Sequence, residues 1–206
     1  MATFKAWFDE AHQRKTQPNP NAMALATIDP DGRPSVRIVL CKDIDLARGS
    51  ITFYTNRNSR KGAALEAHPR AAVVFHWDIF DRQVRIEGPV VHTTDAESDA
   101  YFASRSVASR IGAWASDQSK PIASRGELLA KVASAVAHHG VNLANPFGPG
   151  VPRPPHWGGY RIWADSVELW MGSNVRVHDR ARWTRTLTRQ GDSYSSSAWS
   201  ATRLQP

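Results

Sequence analysis

The sequence predicts a mainly β protein of the α+β class, an antiparallel barrel or sandwich with helices packed outside it. Three observations carry this. Segments with period-2 alternation outnumber helical ones, they come as pairs joined by turn residues, and helices interrupt them. The regular strand–helix alternation of a doubly wound parallel sheet is missing. The 206 residues, 41% hydrophobic and 22% charged, suit one domain over 1–206 with a buried core.

The elements follow in chain order. Residues 1–20 form an N-terminal helix and arm: Phe4, Trp7, Phe8 and Ala11 recur at helical spacing, and Asn19, Pro20 and Asn21 end the helix. Ala22 to Asp29 alternates as a strand with Met23, Leu25 and Thr27 on one side. Pro30-Asp31-Gly32 turns the chain, and Pro34 to Lys42 returns as its hairpin partner. Ile51 to Thr55 is a short strand, and Ser59 caps a helix running to about His68, closed by Pro69. Ala71 to Trp77 and Arg82 to His92 make a second hairpin. Thr94-Asp95-Ala96-Glu97 and Ser124-Arg125-Gly126-Glu127 are capping boxes that open helices, the second reaching about His139. A Pro- and Gly-rich loop occupies 140–157. Strands resume at Tyr160 to Trp163, Val167 to Met171, Val175 to Trp183 and Trp199 to Leu204.

Charge and composition narrow the function. The net charge of +7 suits anionic partners, but the basic residues are scattered rather than gathered in a tail, which favours small phosphorylated ligands over nucleic acid. Cys41 is the only cysteine, so neither an internal disulfide nor a cysteine metal cluster is possible, and the histidines lack metal spacing. No signal peptide and no transmembrane stretch is present, which makes the cytoplasm the default location. Dinucleotide, phosphate-loop and nucleophile-elbow motifs are absent.

Four clusters carry chemistry. Arg176, His178 and Arg180 share one face of the strand expected from Val175, a cationic row suited to an anion or an electron-rich ring. Tyr101, Arg105 and Ser109, at i, i+4 and i+8, line one helix face and offer a phenol, a guanidinium fork and a hydroxyl to a phosphate; a solvated helix face would look the same. Tyr54 and Thr55 end a strand just before Ser59, Arg60 and Lys61 open a helix, where free N–H groups favour a phosphate; ordinary capping with surface charge fits equally well. Arg37 and Lys42 fall on opposite faces of their strand, so both reach one site only through a bulge or if the strand ends before Lys42. Gln83 shares its strand's polar parity with Arg85 and Glu87 while Val84 and Ile86 point inward, and Gln118-Ser119 lies in a polar loop.

In this order the segments resemble the pyridoxamine 5'-phosphate oxidase family from about Trp7 to Pro206. The similar stretches are Arg37 to Lys42, Phe53-Tyr54-Thr55, Ser59-Arg60-Lys61, Arg82-Gln83-Val84, Ile111-Gly112-Ala113-Trp114, Gln118-Ser119, Trp157-Gly158-Gly159 and Arg176-Val177-His178-Asp179-Arg180. Arg203-Leu204-Gln205-Pro206 is similar to the family's C-terminus, so the chain is expected to end there. The resemblance implies an antiparallel split β-barrel of the FMN-binding type, a homodimer with FMN in clefts between subunits, and no metal. It matches Arg37, Ile38, Val39, Leu40, Cys41, Lys42, Tyr54, Thr55, Arg60, Lys61, Gln83, Gln118, Ser119, Trp170 and Arg180 to flavin positions. Lys42, Tyr101, Arg105, Ser109, Arg176 and His178 match positions for a vitamin B6 phosphate ester, with Arg176 and His178 as the catalytic pair. The implied reaction oxidises pyridoxamine or pyridoxine 5'-phosphate to pyridoxal 5'-phosphate. A hydride passes from C4' to the flavin, and oxygen is reduced to hydrogen peroxide.

The chain departs from the family pattern in several places. Leu169 replaces an aromatic residue, Met171 a polar one, and Ser106-Val107-Ala108 a stretch that begins with Pro. The N-terminal arm is short, and Asn142 to Pro155 is longer and richer in Pro. Two alternatives share the fold: an oxidase of the phenazine-pathway type, and a non-catalytic flavin- or haem-binding protein. Lys42, Tyr101, Arg105 and Ser109 favour the B6 ester over the first, and Arg176 and His178 argue against the second. A nucleic-acid-binding barrel lacks an aromatic stacking platform.

Overall fold

A computed structural model of the chain describes residues 1–141, 150–175 and 177–206. The chain divides into two compact units: Met1–Phe53, Ala64–His92 and Tyr160–Pro206 form the first, Tyr54–Ala63 and Thr93–Gly159 the second.

The first unit opens with α1 (Ala2–Gln13), which buries Phe4 and Ala11, with the Phe4 ring 5.0 Å from Phe75. The helix stops well before Asn19. Lys15 takes a left-handed φ of 49°, Thr16 N–H donates to Ala11 and Lys15 N–H to His12, which together close the C-terminal carbonyls as a Schellman cap. The strands β1 (Ala22–Ile28) and β2 (Pro34–Leu40) form the expected hairpin, in register from Ala22↔Leu40 to Ile28↔Pro34, with Gly32 at φ 84° in the turn. Met23, Leu25 and Thr27 are buried on one face, as the alternation requires.

A short strand not evident in the sequence, β3 (Asp43–Asp45), pairs with β4 (Ser50–Asn56). The helix α2 (Arg60–Ala67) follows, then β5 (Arg70–Trp77), a single 3₁₀ turn over Asp78–Phe80, and β6 (Arg82–His92). The remaining strands are β7 (Trp157–Trp163), β8 (Ser166–Met171), β9 (Asp179–Thr184), the hairpin β10 (Leu187–Gln190) and β11 (Ser193–Ser196), and β12 (Ser200–Leu204). The antiparallel sheet runs β12-β9-β8-β6-β5-β1-β2, with β7 also pairing to β6 and β4 to β7; β10 and β11 form their own two-stranded sheet. One core cluster, including Leu25, Phe53, Phe75, Trp77, Ile86 and Ile162, lies within this unit.

The strand expected from Val175 begins only at Asp179. Gly172 N–H is bonded to the Asp81 carbonyl, a Cβ at Gly172 would overlap the Asp81 carboxylate, and a turn follows at Asn174 and Val175. Val175 and Val177 are 75% and 68% exposed, and the described residues 172–175, 177 and 178 belong to no strand. Arg180 is in β9 while His178 precedes it, so the two do not share a strand face as expected; Arg176 lies outside the described residues.

The second unit holds α3 (Asp95–Ala103), α4 (Val107–Ala115) and α5 (Arg125–His139). The Thr94–Glu97 capping box is complete. At α5 it is half made: Ser124 accepts from Glu127 N–H, but the Glu127 carboxylate takes the N–H of Ala123 instead. Val107, Ile111, Val141 and Val151 make a second cluster. Part of the 140–157 loop, residues 142–149, lies outside the described residues.

Candidate active site

In the second unit, the end of β4 meets the segment leading into β7 in a stack of rings. Tyr54 and Tyr101 lie 4.1 Å apart at 17°, and Trp157 is nearly parallel to both at 5.5 and 6.0 Å. The glycines after Trp157 make this possible. A Cβ at Gly159 would stand 2.5 Å from the Thr93 hydroxyl and 2.7 Å from the Tyr54 ring, and one at Gly158 would strike the Arg57 guanidinium. Tyr54, matched to flavin, and Tyr101, matched to substrate, are thus direct neighbours.

Tyr101, Arg105 and Ser109 do not share one helix. The helix α3 ends at Ala103, and Ser106 caps a new one. Serines cause the break: Ser104 turns its hydroxyl back to the Tyr101 carbonyl at 2.7 Å, and the Ser106 hydroxyl accepts the N–H of Ser109. Ser106 also donates to the Ser109 hydroxyl at 2.9 Å. Arg105 falls in the gap, its guanidinium 4.9 Å over Trp157 and 5.5 Å over Phe102. Burial lowers the pKa of this group from its usual value, and its Nη1 is buried without a hydrogen-bond partner. A buried guanidinium nitrogen without an acceptor fits an incoming anion.

A second basic centre surrounds Lys61, which is buried. Its ammonium donates to Gln118 Oε1 at 2.8 Å, Thr55 Oγ1 at 3.1 Å and Ser59 Oγ at 3.2 Å, and Thr55 donates to the same Gln118 oxygen. Residues 63 positions apart in sequence converge here. Arg60 stands exposed in the first turn of α2. Ser119, at φ 71°, lines with Gln118, Lys120 and Lys131 a recess of about 180 Å³.

In the first unit, register pairs Gln83 with Trp170 and Trp170 with Arg180, setting three candidates in one row across β6, β8 and β9. The His178 ring lies 4.7 Å from Trp170, and its Nδ1 accepts the Ser173 N–H at 3.1 Å, which leaves Nε2 as the protonated nitrogen. Arg180 donates through Nε and Nη2 to Glu168 and through Nη1 to the Gln205 carbonyl.

Arg37 faces the same side as Leu25, its register partner, and donates to Thr27, Ser35 and the Leu25 carbonyl. Ile38 is exposed on the other side, while Val39 and Leu40 are half-buried. Because β2 ends at Leu40, the exposed Lys42 is released from the strand's alternation. Cys41 is buried, which pushes its thiol up to about 12. Arg37 in β2 and Arg180 in β9 are five strand steps apart on the sheet path, roughly 24 Å measured along the sheet.

Sequence reasoning gave Glu168 no role and did not read Ser106 as a helix cap. Glu168 has the outward parity of a solvated residue, and only cross-strand register reveals what surrounds it. The Ser-x-Ser spacing before α4 was the available signal for Ser106.

The architecture is that of the FMN-binding split barrels. A pyridoxamine 5'-phosphate oxidase-related, FMN binding protein from Nostoc punctiforme superposes with a TM-score of 0.69 at 17% identity, covering 98% of this chain and 96% of that one. PhzG from Burkholderia lata, solved with tetrahydrophenazine-1-carboxylic acid, superposes with a TM-score of 0.83 at 32% identity over 100% of this chain and 91% of that one. Residues 8–139 match the family model for pyridoxamine 5'-phosphate oxidase, and 157–206 match the pyridoxine 5'-phosphate oxidase C-terminal dimerisation region. A pyridoxine/pyridoxamine 5'-phosphate oxidase of Burkholderia lata is 50% identical over this whole chain and 88% of its own length. One of Cupriavidus metallidurans is 47% identical over 98% of this chain and 87% of its own. The chain belongs to the pyridoxamine 5'-phosphate oxidase family of flavoprotein oxidoreductases. Among the described residues no helix is long and apolar enough to cross a membrane.

Proposed function

We propose that this protein is an FMN-dependent oxidase that converts pyridoxamine or pyridoxine 5'-phosphate to pyridoxal 5'-phosphate. The observation that carries the reading is Arg105: half-buried, stacked on Trp157 and with a buried N–H lacking an acceptor, beside Tyr101 and the Ser109 end of α4. Such a group suits a phosphate ester. The cations Arg60 and Lys61, at the start of α2, suit the phosphate of FMN, with Thr55, Gln118 and Ser119 around it. Two basic centres answer two phosphates, one of cofactor and one of substrate.

FMN, when bound, supplies the two-electron acceptor and delivers the electrons to oxygen. The protein's residues bind and orient. Gln83, Trp170 and Arg180 address the flavin. His178, held by the Ser173 N–H, offers Nε2–H to the substrate, and Arg176 shares that role by the family match. The separation of Arg37 to Lys42 from Arg180 along the sheet supports a flavin shared by two subunits of a homodimer, as does the C-terminal dimerisation region.

A phenazine-type substrate is the second reading, favoured by the likeness to PhzG. Against it, this chain shares 50% identity with the Burkholderia lata oxidase but 32% with PhzG of the same species. Assays of peroxide release with pyridoxamine 5'-phosphate, pyridoxine 5'-phosphate and a reduced phenazine carboxylic acid separate the two. Arg105→Ala should raise KM for the phosphate esters by the equivalent of about 2–5 kcal/mol, with flavin retained. Turnover of the phenazine acid alone, or an unchanged KM in Arg105→Ala, would overturn the B6 reading.

A further inference from the structure

Glu168 departs from its strand's pattern. Val167 and Leu169 on either side of it face the core, so alternation turns Glu168 outward with Gln83 and Trp170. Yet it is only 5% exposed, because arginines cover it. One carboxylate oxygen accepts from Arg180 Nε at 3.1 Å and Nη2 at 2.9 Å, and the other lies 3.5 Å from Arg85 Nη1. From the other side, Arg180 Nη1 donates to the Gln205 carbonyl at 2.9 Å. A guanidinium has five N–H groups. Three are engaged, and the two that remain, one on each Nη, have no partner among the described residues.

We propose that Glu168 is a positioning residue: it fixes the Arg180 guanidinium so that its Nη edge meets a neutral acceptor on the flavin ring rather than the flavin phosphate. The inference rests on the reading that Arg180 faces the flavin. The charge balance selects the ring. A buried carboxylate directly on Arg180 offsets its positive charge and would repel a phosphate dianion, whereas a ring carbonyl needs only a directed N–H.

Flavin titration of the full chain, with FMN and separately with riboflavin, tests this. Circular dichroism confirms that each variant keeps its fold. Glu168→Gln should weaken both flavins by the same factor, about 10- to 100-fold. Glu168→Asp should recover part of the loss, and in an Arg180→Leu background Glu168→Gln should have no further effect. Wild-type affinity in Glu168→Gln, alongside a loss in Arg180→Leu, would overturn the positioning role. So would an equal loss with Arg180 already removed, which marks a purely structural effect. Loss of FMN binding with riboflavin unaffected would overturn the ring assignment. If Arg180→Leu itself binds FMN normally, the underlying reading of Arg180 fails instead.

Discussion

At Gly159 the backbone passes so close to Thr93 and Tyr54 that no side chain fits. Gly159→Ala should push the Tyr54 ring out of its stack with Tyr101 and Trp157 and destabilise the protein by about 1–3 kcal/mol, measured by urea unfolding. Cys41 makes a second residue-scale prediction. Burial raises its thiol from 9.0 to about 12. The proton is thus held more tightly folded than unfolded, so the thiol's contribution to stability is complete below pH 9 and is lost as the pH climbs from there towards 12. Iodoacetamide at pH 8 should leave Cys41 unmodified until denaturant is added; rapid labelling of the native protein would contradict this. At this scale the sequence exposed the residues whose partners are near in chain or announced by a motif, such as Lys61 and Ser59. It could not expose Glu168, because outward parity and burial are reconciled only by an arginine on the neighbouring strand, two residues off register.

At the scale of elements, alternation and turn residues placed β1, β2, β5 and β6 nearly to their ends, since β1, β5 and β6 each bury one face against a single core and β2 follows from its hairpin with β1. Failures came where local chemistry overrode periodicity. Three serines split the helix carrying Tyr101 from the one carrying Ser109, and the Asp81 contact at Gly172 postponed β9. The short β3 and the β10–β11 hairpin, polar and mostly exposed, bury too little to leave a hydrophobic signature. The complete capping box at α3 supports the helix that delivers Tyr101. Thr94→Ala should cost about 0.5–2 kcal/mol in stability by chemical denaturation, with a smaller loss in Thr94→Ser.

At the scale of the molecule, the sheet path separates β2 from β9 by five strand steps in one chain. The outward residues Val36 and Ile38 of edge strand β2 are 68% and 65% exposed, apolar surface that a partner chain would cover. Sedimentation should therefore give a dimer, and dilution to monomer should release flavin in step with dissociation. A stable monomer that holds FMN as tightly as the undiluted protein would contradict the shared site.

The central place of β6 also shapes how the chain is made. It pairs with β5 along one edge and with β8 along the other. The first pairing is available as soon as β6 leaves the ribosome; the second waits for residues 166–171, about 80 residues and on the order of 4–16 s later at usual rates of synthesis. For that interval the stretch from Arg82 to Glu87 is an open edge of the kind that recruits foreign strands. Its outward row of Gln83, Arg85 and Glu87 is polar and charged, so the nascent protein carries its own guard against aggregation until the second half of the sheet arrives.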